Sequence, residues 1–259
     1  MLLSKLEEKD FQVLRGPLES GRQSPKLNGV MLLFAIPLEI LTFFLAHAAL
    51  MWNSSHPYKE QIFYIHLIVE IIIIFLSIIY AIPAVYKRNE KLQYLMIIIV
   101  SQNLFGITAY LFTLYIVGKS NASEGSLLMF TFITLLLGIF VFIGTCVRFN
   151  ILLKKGQYRK GSKKDELRGY FEKNSFVSLG VFGGLGALYI IQYIGRNFDG
   201  LSLDSIFIAI LCMGIFYTMI FVLPEQLVIL YCKYRFDSLN FEQNGRIKPF
   251  RDENGNIIR

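Results

Sequence analysis

The chain is poor in the side chains that carry most enzyme chemistry, with three histidines, three cysteines and one tryptophan in 259 residues. His47, His56 and His66 do not form a His-Glu-x-x-His pair, and no Gly-x-Ser-x-Gly nucleophile turn occurs. We therefore expect a protein that is not an enzyme and binds no cofactor. Cys146, Cys212 and Cys232 are odd in number, lack Cys-x-x-Cys spacing and fall in apolar stretches, which argues against a structural disulfide. Charged residues make up only 17% of the chain, against about 25% in soluble domains. Residues 1–28 are polar and mixed in charge, without the short apolar core and small-residue cleavage site of a signal peptide, so the first apolar run is expected to be a retained anchor.

What the chain does have is long apolar runs, in a composition that is 54% hydrophobic. Six stretches, at 29–52, 61–86, 92–117, 126–153, 174–195 and 203–232, are each long enough to cross a hydrocarbon core that needs about 20 residues of helix. The expected fold is all-α, a polytopic membrane protein of six transmembrane helices. Its parts are a segment at 1–28, a membrane domain at 29–232 with a basic loop at 154–173, and a tail at 233–259.

The 26 Lys and Arg residues fix the orientation. Five lie in 1–28, three in 87–91, eight in 154–173 and six in 233–259, while Lys59, Lys119 and Arg196 stand alone in the other three loops. The positive-inside rule then puts both termini in the cytoplasm of a cell-membrane, multi-pass protein. The net charge of +7 is accounted for by loops meeting anionic headgroups, so membrane lipids are the expected partners and nucleic acid is not. Asn53-Ser54-Ser55 and Asn121-Ala122-Ser123 have the spacing of glycosylation acceptors, but both loops are too short to lift the Asn clear of the membrane.

Proline stands near the cytoplasmic end of three spans, at Pro37, Pro83 and Pro224, where bends would splay that end of the bundle. In the fifth span Gly180 and Gly184 form a small-xxx-small face for close helix packing. The surrounding glycines are not a phosphate loop, because the Lys-Ser or Lys-Thr is missing. In the tail, Asn244-Gly245 and Asn254-Gly255 favour tight turns, and a hairpin pairing 246–250 with 256–259 is expected.

Ionisable groups at membrane depth are few, and each is expensive there. Glu39 and Glu70 fall near the midplane of the first two spans, at about 1.5 Å per residue. His47 and His66 lie nearer the outer surface. His66 and Glu70, four apart, share a helix face, and two antiparallel neighbours would present two carboxylates with two imidazoles above them. That layout suits a proton relay or ion site. Two other readings stay open, ordinary interhelical hydrogen bonding and a metal held by His and carboxylate, although no metal ligand set is assigned. Gln102 and Asn103 are expected to make interhelical hydrogen bonds of about 0.6–2 kcal/mol each.

The stretch Leu223-Pro224-Glu225-Gln226-Leu227, followed by Tyr231-Cys232-Lys233-Tyr234-Arg235-Phe236-Asp237-Ser238-Leu239-Asn240-Phe241, resembles the end of uncharacterised multi-span membrane proteins of low-GC Gram-positive bacteria. Some of those are encoded beside type VII secretion genes and their toxins. The resemblance implies an accessory or immunity role, with a membrane-acting toxin or a secretion component as partner. A small proton- or ion-coupled transporter using Glu39 and Glu70 is the competing reading, and a homo-oligomer is compatible with either.

Overall fold

A computed structural model describes residues 6–119, 123–163, 165–166, 203–251 and 257–258. Among these, five helices are long and apolar enough to cross a membrane. We label them α1 (Pro25–Asn53), α2 (Lys59–Ala81), α3 (Glu90–Val117), α4 (Glu124–Lys154) and α5 (Leu203–Arg235). The expected span at 174–195, with Gly180 and Gly184, lies outside the described residues.

Local chemistry sets the helix ends. Ser24 caps α1 by accepting from Leu27 N, with Pro25 at the first helical position, and Ser123 caps α4 by accepting from Ser126 N. Pro37 and Pro224 sit inside continuous helices, whereas Pro83 ends one. It holds Ile82 extended at φ −70°, ψ 126°, so α2 stops at Ala81 and the chain turns through Pro83–Tyr86 into α3.

The bundle is arranged around α3, whose most apolar window is 56% buried against 17–28% in the other four helices. Helices α1 and α2 pack together and against the first half of α3, and α5 runs along its length. The outward faces keep Phe34, Ile71, Phe75, Phe132, Phe140 and Ile210 exposed. A soluble monomer rarely leaves so much apolar surface bare, but helices in lipid do.

One end of the bundle is closed by a cap built from three separate stretches of chain. Phe11, Val13, Leu14 and Leu18 of the N-terminal segment, Tyr158 beyond α4, and Leu239 and Phe241 of the tail form one apolar cluster with Tyr94, Phe149, Leu153 and Ile229. Polar ties fix it in register. Val13 N donates to Tyr158 O at 2.9 Å, Arg159 pairs with Asp10 at 2.7 Å, and Arg15 Nη2 donates to Lys248 O at 2.8 Å beneath the Phe250 ring. Lys233, 2% exposed, pairs with Glu90 at 2.8 Å. Gly245, at φ +83°, makes the first Asn-Gly turn, and Phe250 and Arg251 pair antiparallel with Ile258 and Ile257. The second Asn-Gly pair lies outside the described residues.

Candidate functional site

All four ionisable residues singled out on α1 and α2 point into the bundle. Glu39 is 1% exposed, His47 3%, and His66 and Glu70 4% each. They form one polar file with two residues of α3, Asn103 and Tyr115, which are also buried. From the end opposite the cap, Tyr115 Oη lies 3.5 Å from His47 Nδ1, and His47 Nε2 lies 2.9 Å from His66 Nδ1. His66 Nε2 lies 3.6 Å from Glu70 Oε2, which accepts from Asn103 Nδ2 at 2.7 Å. Glu39 lies within electrostatic range of Glu70.

Two departures from regular helix bring this file together. Leu45–Leu50 on α1 and Gln102–Ile107 on α3 are π-helical, and they contain His47 and Asn103 respectively. A π turn widens the helix by a residue and re-aims the side chains beyond it, at the cost of weaker backbone hydrogen bonding. Thr108 offsets that cost on α3 by donating Oγ1 to Asn103 O at 3.0 Å.

The cluster is short of donors. Among the described residues, Glu39 Oε1 and Oε2, Glu70 Oε1 and Asn103 Oδ1 are buried without a hydrogen-bond partner, and so is His66 Nε2. Unpaired buried acceptors cost about 1–3 kcal/mol each, and more when charged. An ionised carboxylate accepts only, while a protonated one also donates. A proton on either glutamate therefore supplies what the site lacks. Among the described residues, no group of three or more His, Cys, Asp or Glu is arranged to hold a metal ion.

The surroundings differ on the two sides of the carboxyl pair. Toward the end opposite the cap, His47 lines a cleft of about 390 Å³ between α1 and α2, walled by Phe43, Phe63 and Trp52, with Lys59 and Glu60 also on its lining. Toward the cap, Leu32, Ala35, Ile73, Met96 and Val100 form a buried apolar cluster.

Gln102 and Asn103 read alike in the sequence but diverge in the structure. Gln102 makes the ordinary interhelical contacts, to Met219 O at 3.1 Å and Gln226 Oε1 at 3.2 Å. Asn103 instead joins the carboxyl cluster. Matched depth would have pointed to it, because Asn103 and Glu39 stand at similar distances from the cap-side starts of α3 and α1. Tyr115 carried no such signal among many membrane tyrosines. Comparison with known proteins finds no matching family model, no matching curated protein and no matching solved structure.

Proposed function

We propose that this is a six-span cell-membrane protein with both termini and the cap in the cytoplasm, and that it is a small proton-coupled transporter whose proton site is the pair Glu39 and Glu70. The Lys and Arg distribution supports the orientation. The observation that carries the function is the donor deficit: four carboxyl and carboxamide oxygens buried together without partners among the described residues.

The file has two self-consistent donor orientations, its last step, from His66 Nε2 to Glu70 Oε2, being a 3.6 Å ion-pair separation rather than a hydrogen bond. In one, Tyr115 O–H donates to His47 Nδ1, His47 Nε2–H to His66 Nδ1, and His66 Nε2–H points to Glu70 Oε2. In the other every donor is reversed and Glu70 holds the proton. A neutral imidazole has one donor and one acceptor nitrogen, so one proton entering at His47 and one leaving His66 for Glu70 interconvert the two. Asn103 holds Glu70 in line by donating to the same oxygen. Ordinary structural bonding accounts less well for the cluster, because a purely structural network would satisfy its buried acceptors.

The accessory or immunity role implied by the sequence resemblance has less support from the geometry. The residues carrying that resemblance serve the cap: Lys233 bonds Glu90, Asn240 Nδ2 donates to Lys233 O at 2.9 Å, and Phe241 N donates to Glu90 Oε2 at 2.9 Å.

Infrared titration of the purified protein tests the proposal. A protonated-carboxyl stretch should appear and vanish with pH, and it should shrink in both Glu39→Gln and Glu70→Gln while helicity is retained. In vesicles, the same variants should lose proton-linked flux. A wild-type spectrum with no titrating buried carboxyl, or full flux in both variants, refutes the assignment. Dependence of the band on sodium at fixed pH would make the ligand a metal cation instead.

A further inference from the structure

The two sides of the carboxyl pair are unequal in a way that bears on access. On the side away from the cap, groups able to carry a proton follow one another from the cleft to the carboxyl pair, the last step, His66 Nε2 to Glu70 Oε2, being 3.6 Å. Glu60 and Lys59 lie on the cleft lining, His47 lies at its inner wall, and His66 follows at 2.9 Å, with Glu70 beyond. Lys59 is held by its bond to Ser54 O at 2.7 Å, which leaves Glu60, a half-turn or so further into α2, as the carboxylate on that lining. Lys59 and Glu60, the first two residues of α2, mark where the membrane meets water, so the cleft opens at an aqueous rim.

On the cap side the file stops. The side chains of the apolar cluster that follows are at most 8% exposed, and they come from α1, α2 and α3 together. Beyond it, Gln93 Nε2 donates to backbone carbonyls, Pro25 O at 2.9 Å and Tyr80 O at 3.0 Å. Among the described residues, these five apolar side chains separate the carboxyl pair from the cap, and Ser77, one turn past Ile73 on α2, is the buried hydroxyl at their cap-side edge. The two helices that carry the glutamates each hold a proline on this side, Pro37 within α1 and Pro83 just after α2.

We infer that the described conformation is the outward-connected state of the proton site: Glu70 and Glu39 exchange protons with the outer face through His47 and His66, and the Leu32–Ile73–Met96–Val100 cluster shuts them off from the cytoplasmic face. His47 is the positioning residue of this path, since it alone links the cleft to the buried file. The groups facing it are His66 on α2 and Tyr115 on α3, with Lys59 and Glu60 on the cleft lining. Exchange with the cytoplasm requires the cluster to part, which gives the alternating access that coupled transport needs. The inference rests on the proton-site reading above.

Sided infrared titration separates the two claims. Protein is reconstituted with the cap facing the lumen, and pH is varied on one side while buffer holds the other. The buried-carboxyl band should follow outer pH and ignore luminal pH over the same period. His47→Gln keeps a hydrogen-bonding side chain but cannot pass a proton between two ring nitrogens, and it should slow the response to outer pH at least about tenfold. Leu32→Asn, which adds a polar step to the cluster, should make the band respond to luminal pH. An impermeant thiol reagent gives a check that does not need His47: with the three native cysteines replaced by alanine, Ala48→Cys in the cleft should react from outside, and Ala35→Cys in the cluster should not. A band that follows luminal pH in the wild type, or an unchanged rate in His47→Gln, overturns the access path while leaving the proton site standing. A protein with no titrating carboxyl overturns both.

Discussion

Replacing Lys233 by Met tests how much the cap depends on a single buried charge pair. The Lys233 ammonium, 2% exposed, bonds Glu90 Oε1 at 2.8 Å and Leu239 O at 2.9 Å, and it lies against the rings of Tyr94 and Phe241. Glu90 Oε2 accepts from Phe241 N at 2.9 Å, so one carboxylate holds both the end of α5 and the tail. Methionine fits the apolar sleeve but leaves Glu90 without a counter-charge and Leu239 O without its donor. Breaking one partner of a buried pair costs about 3–5 kcal/mol, whereas replacing both with apolar groups is often close to neutral. Lys233→Met should therefore destabilise by about 3 kcal/mol or more, Glu90→Leu by a similar amount, and the double variant by less than the sum, with coupling of about 2 kcal/mol. Equilibrium unfolding in a mixed-micelle denaturant titration, followed by helical circular dichroism, measures all four proteins. Additive losses, or a Lys233→Met protein within about 0.5 kcal/mol of wild type, would mean that the pair is solvated and the cap is held by its apolar cluster alone.

At the opposite end, Gly118→Ala should lower stability by about 1–3 kcal/mol, because a Cβ there collides with Ser54 Oγ in the turn that donates Ser55 N to Gly118 O at 2.7 Å. Gly125→Ala, which meets open space, should change nothing, and Ser54→Ala should partly rescue Gly118→Ala; equal behaviour of the two glycine variants would remove the close approach. His56, in the same turn, should contribute an acid-dependent loss of stability. Burial pushes its imidazole below the ordinary histidine value. Tyr58 N donates to Nδ1 at 3.3 Å, so Nε2 carries the proton and donates to Thr131 Oγ1 at 3.1 Å. The unfolded ring titrates near about 6.5, so the folded form's advantage is full above that pH and is lost as pH falls through the lower folded value. His56→Gln should flatten this part of the stability–pH curve, and an unchanged slope would refute the assignment.

Much of the fold was legible because apolar length is a one-dimensional property. The five described spans fall where continuous hydrophobic runs predict them, and their ends are set locally, by the Ser24 and Ser123 hydroxyls and by the backbone restriction before Pro83. Proline was less informative. Only Pro83 ends a helix, since the freed carbonyls at Pro37 and Pro224 can be accommodated inside a bundle. The cap was not legible at all. Its contacts join Asp10 to Arg159, Arg15 to Lys248 and Glu90 to Lys233, and sequence spacing alone does not pair residues so far apart.

The site was half legible for a related reason. Glu39, His47, His66 and Glu70 announce themselves by cost, since no membrane helix keeps an ionisable group at depth without burying it against something. What the sequence withholds is rotation: whether two helices turn these groups toward each other, and what the third helix presents between them. Asn103 reaches Glu70 from within a π-helical turn, and no local pattern in Gln102–Ile107 advertises one. The π turns matter for the same reason that they are hard to foresee. Each weakens backbone bonding to bring a polar side chain into the bundle, and in this protein the two side chains so placed, His47 and Asn103, stand at the two ends of the imidazole–carboxyl file. A fold that needed only stability would have no use for either distortion, since regular helix and an apolar interior satisfy the backbone at lower cost. One π turn carries an unpaired acceptor, Asn103 Oδ1, and the other carries His47, so both distortions serve the same polar file.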